Sequence, residues 1–219
     1  MFVLRLFGVA WLSLGLAAPV AAATVTMHVS DQQGHAVSDA VVTLTLDGAA
    51  ANTLPAGPSK LYYIDQKDET FIPYVQIFRP GDKVVFRNSD TTRHQVYSFS
   101  SIKRFEFVLR PGEHSPALEL DKTGVAAVGC NIHDDMITYL FVSAAANIAM
   151  SDRAGNVSFG QLAPGRYTLR LWHPQLHPGE PEPEQQLTIA SMDEARQLAI
   201  SLSLMPDPRG PMVHEQSAY

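Results

Sequence analysis

Apolar residues in this chain recur at alternate positions in short runs, and turn-forming residues break each run before it reaches helical length. Residues 24–47, TVTMHVSDQQGHAVSDAVVTLTLD, set the pattern. Val25, Met27 and Val29 share one face, a turn follows at Asp31–Gly34, and Val42, Leu44 and Leu46 share another face. A period of two is the mark of a half-buried strand. The pattern resumes in LYYIDQ, PYVQIF (closed by RPGD), KVVFRN, HQVYSFS, RFEFVL and ALEL. GVAAVGC and MITYLFVS flank the segment GCNIHDDM, and residues 147–172 add further strands around turns at Asp152–Gly155 and Pro164–Gly165. QQLTIA and RQLAISLSL close the series, and SMDEA between them reads as a turn or one helical turn. Fifteen prolines and fourteen glycines punctuate these runs, so an all-β chain built from sandwiches is expected. No helix and no fixed-period repeat is expected.

The first 23 residues, MFVLRLFGVAWLSLGLAAPVAAA, carry one basic residue, Arg5, then an apolar run, then small residues. That is the plan of a bacterial secretory signal peptide with cleavage after Ala22 or Ala23, and it points to the periplasm. The alternative is an uncleaved anchor, for which the apolar core from Leu6 to Leu16 is short. No second long apolar run follows, so no membrane span is expected after cleavage. The net charge is −6, with 22 acidic against 16 basic residues. Nucleic-acid binding normally needs a basic face, so this balance argues against it and favours a basic protein partner.

Cys130 is the only cysteine. Exported proteins usually pair their cysteines, and a lone one cannot form an internal disulfide. It is then a buried inert thiol, half of an intermolecular bridge, or a thiolate bound to a metal. Its neighbours decide: His133 and Met136 follow at intervals of three, in a tight loop between two strands. A thiolate, an imidazole and a weak thioether suit copper, which must be held in both oxidation states. A second imidazole would complete the set, and His94, at a strand start in NSDTTRHQVYS, is the candidate.

GDKVVFRNSDTTRHQV followed by GVAAVGCNIHDDM resembles the cupredoxins, the plastocyanin-like blue copper proteins, and the Cys-x2-His-x2-Met loop is similar to that of amicyanin in its spacing. The resemblance covers residues 55–143. It implies a cupredoxin Greek-key β-sandwich holding one type 1 copper, Cu(I)/Cu(II). His94 and His133 match the imidazole ligands, Cys130 the thiolate and Met136 the axial thioether. Asn88 matches the asparagine that closes the strand before the first histidine. Many members have asparagine just after that histidine, where this chain has Gln95. Hydrogen bonding around the ligands is therefore expected to differ at that position.

By the same resemblance the expected function is single-electron transfer, not catalysis. The His133 ring should lie near the surface and pass electrons to a redox protein such as a c-type cytochrome or a dehydrogenase. Asp134 and Asp135 could steer that partner, or could be ordinary turn-forming acids of a solvated loop. A binuclear copper centre needs two cysteines and a multicopper oxidase needs His-x-His pairs, and the chain has neither. Some relatives carry the label methylamine utilisation protein, but nothing in these residues identifies methylamine or its dehydrogenase. The alternative function is copper carriage or sequestration without redox work. A third reading is a structural module with a vestigial site.

The outer segments resemble a carboxypeptidase regulatory-like, transthyretin-type sandwich, the first half in residues 24–54 and the second in 144–205. The expected arrangement is one small sandwich split around the cupredoxin domain; a tandem arrangement is the alternative. Residues 206–219 are expected to form a disordered tail. His28, His35, His114 and His214 lack ligand-like neighbours and read as solvated. His173 and His177 stand four apart, but Pro174 and Pro178 oppose the helix that a shared metal site there would need. Trp172 reads as a core residue.

Overall fold

The computed structural model describes residues 23–48, 57–133 and 135–209. The expected export segment up to residue 22, loop residues 49–56, Asp134 and residues 210–219, with His214, lie outside these. Among the described residues the fold is all-β, with sixteen strands and no helix. None of it is a helix long and apolar enough to cross a membrane.

The strands fall into two groups. Strands β1 (Ala23–Asp31) and β2 (Val41–Leu46) come first. A central set follows: β3 (Leu61–Lys67), β4 (Thr70–Ile72), β5 (Val75–Phe78), β6 (Asp82–Asn88), β7 (His94–Ser98), β8 (Phe105–Leu109), β9 (Leu118–Leu120), β10 (Gly124–Cys130) and β11 (Ile137–Val142). The last set is β12 (Asn147–Met150), β13 (Asn156–Leu162), β14 (Gly165–Trp172), β15 (Glu184–Ile189) and β16 (Ala195–Leu202). The central strands pair only with one another, in sheets of order β5-β11-β10-β7-β8 and β4-β3-β6-β9. β1 and β2 pair instead with the last set, in sheets β13-β1-β16 and β12-β2-β14-β15.

Alternation explains both cores. Along β1, Ala23, Val25, Met27 and Val29 are buried while Thr26 and His28 face water. They pack with Val42, Leu44, Tyr167, Leu169 and Leu171 of the facing sheet. The central core joins Ile64, Phe78, Phe86, Val96, Val128 and Leu140, with Cys130 and Met136 at one end. Burial of each such large side chain stabilises by about 1.5–3 kcal/mol, so the ligand loop is rooted in a packed core.

A third apolar cluster joins the two sandwiches. Val41 of β2 and Met150 of β12 meet Tyr74, Val75 and Tyr139. Trp172 lies half-buried there, 5.7 Å from the Tyr139 ring and 5.2 Å from Phe141, so it is a packing residue of the junction. Residues 206–209, expected in a disordered tail, are instead held against this junction. The Arg209 guanidinium lies 3.4 Å over the Tyr74 ring and forks onto Asp207. The chain just before it is tied down as well, the Met205 amide donating to Gln175 O and Gln175 Nε2 to Met205 O.

Candidate metal centre

The site forms where strand ends meet at one pole of the central sandwich. β7 begins with His94 and β10 ends with Cys130, and the two strands are adjacent, Cys130 opposite Val96. The loop leaving β10 closes on itself. The Cys130 amide donates to Met136 O at 3.2 Å, and the Met136 amide donates to His133 O at 3.1 Å. Spacings of three thus turn the chain back within one loop. The Asn131 amide donates to Gln95 O, which fixes the loop against β7.

His94, Cys130 and His133 come together, with one donor atom from each lying within 4.8 Å of the others. They form the one group of three or more potential His, Cys or carboxylate ligands among the described residues. His94 is fully buried and its Nδ1 stands 3.5 Å from Cys130 Sγ. The His133 ring lies 5.4 Å from that of His94 and is partly exposed. Its Nδ1 is buried and has no hydrogen-bond partner among the described residues. A buried polar atom without a partner is costly, and a metal ion facing Cys130 would satisfy it. Two imidazole nitrogens and a sulfur form a donor set that suits copper. Met136 is 1% exposed, closes the loop through its main chain, and its side chain belongs to the same core as Cys130.

Asn88 is buried at the end of β6. Its Nδ2 donates to Thr92 O at 2.8 Å and to Leu109 O at 2.9 Å, and its Oδ1 accepts from the Asp90 amide at 2.9 Å. It therefore braces the whole turn that delivers His94. Gln95 points away from the His94 ring: it bonds Glu106 and accepts from Asn131 Nδ2 at 3.1 Å. Asp135 is partly exposed on the ligand loop.

Two residues that sequence reasoning missed face the outer nitrogens of the imidazoles. His94 Nε2 donates to Asp90 Oδ2 at 2.8 Å. His133 Nε2 lies 3.5 Å from Glu69 Oε1. A carboxylate on Nε2 fixes the tautomer and leaves Nδ1 as the free lone pair. Burial alone would raise the Asp90 carboxyl, but the bonds from His94 and from the amides of Glu69 and Asp68 hold it below the usual carboxylate value. No sequence motif announced Asp90; its offset of four from His94 was the only local signal.

Among solved structures the chain is similar over part of its length to copper proteins. A purple cupredoxin from Nitrosopumilus maritimus matches at 19% identity and TM-score 0.34, over 37% of this chain and 98% of that one. Amicyanin from Paracoccus versutus matches at 17% identity and TM-score 0.34, over 46% of this chain and 98% of that one. A copper-containing nitrite reductase from Thermus scotoductus matches at 22% identity and TM-score 0.33, over 45% of this chain and 25% of that one. No protein-family model and no curated protein matches the chain. These matches support neither the methylamine-utilisation label nor a transthyretin-type reading of the flanking strands.

Among the described residues, no other histidine joins the group. His28, His35 and His114 are exposed. His173 is buried at the end of β14, where Nε2 donates to Ser38 O at 3.1 Å and Nδ1 accepts from the Gln175 amide at 3.2 Å. Both of its nitrogens are thereby used.

Proposed function

We propose that this chain is a periplasmic type 1 copper protein that carries single electrons between redox proteins. The observation that supports it most is the convergence of one donor atom each from His94, Cys130 and His133, together with a His133 Nδ1 that is buried and unpartnered among the described residues. His94, Cys130 and His133 would hold the metal, with the Met136 thioether as a weak further ligand. Copper bound there would supply a one-electron couple. The protein's own work is to keep the geometry fixed. His94 is held from behind by Asp90 and Cys130 stands at the end of a buried strand, an arrangement that would favour a fixed ligand geometry in both oxidation states. The partly exposed His133 ring offers the exchange route to a partner such as a c-type cytochrome or a dehydrogenase. Asp134 and Asp135 on the same loop would steer a basic partner, giving association rates that fall with salt.

The test is voltammetry of the copper-loaded protein together with stopped-flow mixing with a reduced c-type cytochrome. A reversible one-electron wave and a salt-sensitive bimolecular oxidation of the cytochrome are expected. Tight copper binding without a reversible wave would sink the electron-carrier reading and leave copper carriage.

A further inference from the structure

The turn between β3 and β4 has an unusual backbone. Lys67 pairs with Thr70, so Asp68 and Glu69 are the two central residues of the hairpin, with φ of 53° and 55°. Such turns favour asparagine and glycine, because both central residues must adopt positive φ. An Asp-Glu pair there stores backbone strain, and strain of this kind gathers at functional sites.

What holds the turn is Asp90. Its Oδ1 accepts the Asp68 amide at 2.6 Å and its Oδ2 accepts the Glu69 amide at 3.2 Å. The same Oδ2 accepts a hydrogen bond from His94 Nε2 at 2.8 Å. Glu69, held by that grip, places Oε1 3.5 Å from His133 Nε2. A hairpin belonging to the opposite sheet is thus clamped over the ligand pole, and one carboxylate touches both halves of the arrangement. Parallel pairing of β3 with β6, Gln66 opposite Asn88, brings the hairpin tip beside Asp90.

We propose that Asp90 and Glu69 form a single carboxylate bracket on the outer nitrogens of both imidazoles, with Asp90 the positioning residue for each, and that this bracket lowers the reduction potential of the metal centre. The inference rests on the copper reading above. The physical reason is charge. Oxidation adds a positive charge at the centre, and a nearby anion hydrogen-bonded to a ligand stabilises the more positive state. Asp90 is well shielded from water and His94 fully so, so screening there is weak. Glu69 is largely exposed and should contribute less.

Asp90→Asn keeps the shape and removes the charge. It should weaken the preference for Cu(II) over Cu(I) about tenfold, a rise in potential of about 59 mV for a one-electron couple. In the metal-free protein the same variant should lose hydrogen-exchange protection at the Asp68 and Glu69 amides. Glu69→Gly removes the second carboxylate while placing glycine where φ is positive, so the turn should persist. Its potential should rise by less than that of Asp90→Asn, with no loss of thermal stability. If both variants bind copper with an intact thiolate band and potentials equal to the parent's, the bracket is refuted while the copper reading survives. A parent protein that binds no copper refutes both. Unchanged amide protection in metal-free Asp90→Asn would refute the positioning role.

Discussion

Replacing Asn88 by alanine should disable the site from a distance. The side chain makes three hydrogen bonds, to Thr92 O, to Leu109 O and from the Asp90 amide, and the residue is 1% exposed. Each neutral bond contributes about 1 kcal/mol net, and partners left buried add to the loss. The expected cost is roughly 3 kcal/mol, which in a chain of this size lowers the thermal midpoint by roughly 6–12 °C. The functional effect follows from position. Asn88 fixes both ends of the turn carrying Asp90 and His94, so copper affinity should fall about 10–100-fold, the usual penalty for losing support behind a ligand. Asn88→Asp is the sharper control: it retains Oδ1 as an acceptor but sets a carboxylate oxygen against two carbonyls, and should do at least as much harm. Differential scanning fluorimetry and competitive copper titration read the two effects. A midpoint drop under about 2 °C, or copper affinity equal to the parent's, would refute the bracing argument.

Further outcomes concern the flanking sandwich. Gly155 has φ of +74°, and a Cβ there would stand 2.3 Å from the backbone oxygen of Val29; Gly155→Ala should destabilise by about 2 kcal/mol or more, seen in thermal unfolding, with the copper spectrum unchanged. Burial holds the His173 imidazole below its ordinary value of 6.5, against the pull of its bond to Ser38 O and of Asp39, with Arg209 and Asp207 also nearby. The unfolded chain therefore takes up a proton that the folded chain refuses as pH falls through that value. Its contribution is fully present above the ordinary imidazole range and is lost on acidification. Thermal midpoints measured from about pH 7.5 to about pH 5.5 should fall more steeply in the parent than in His173→Gln; parallel curves would contradict this.

Strand positions were legible because burial on one face imposes a period of two. Val25, Met27 and Val29 announced β1, and the pattern put β10 and β11 on either side of the ligand loop. Cys130 and His133 were legible from spacing, and His94 from its place at a strand start after a turn. β4 was not: its three residues sit between a turn and Pro73, too short to show alternation. Asp68 and Glu69 hid their turn because neither is a residue that positive φ favours. Glu69 reaches His133 through the parallel pairing of β3 with β6 and the grip of Asp90 on the hairpin, contacts between distant segments that no local pattern encodes. Arg209 was read as part of a polar tail because composition cannot reveal a partner such as Tyr74 far back in the chain. Gln95 was expected to change the hydrogen bonding around the ligands, and alternation along β7 turns its side chain to Glu106 and Asn131.

The most direct measurement of the central claim is the visible absorption spectrum of the protein titrated with Cu(II), beside Cys130→Ser. The account predicts an intense thiolate-to-copper band at one equivalent that bleaches on reduction, returns on oxidation and is missing from the variant. Copper bound at one equivalent with the same weak spectrum in both proteins would contradict it.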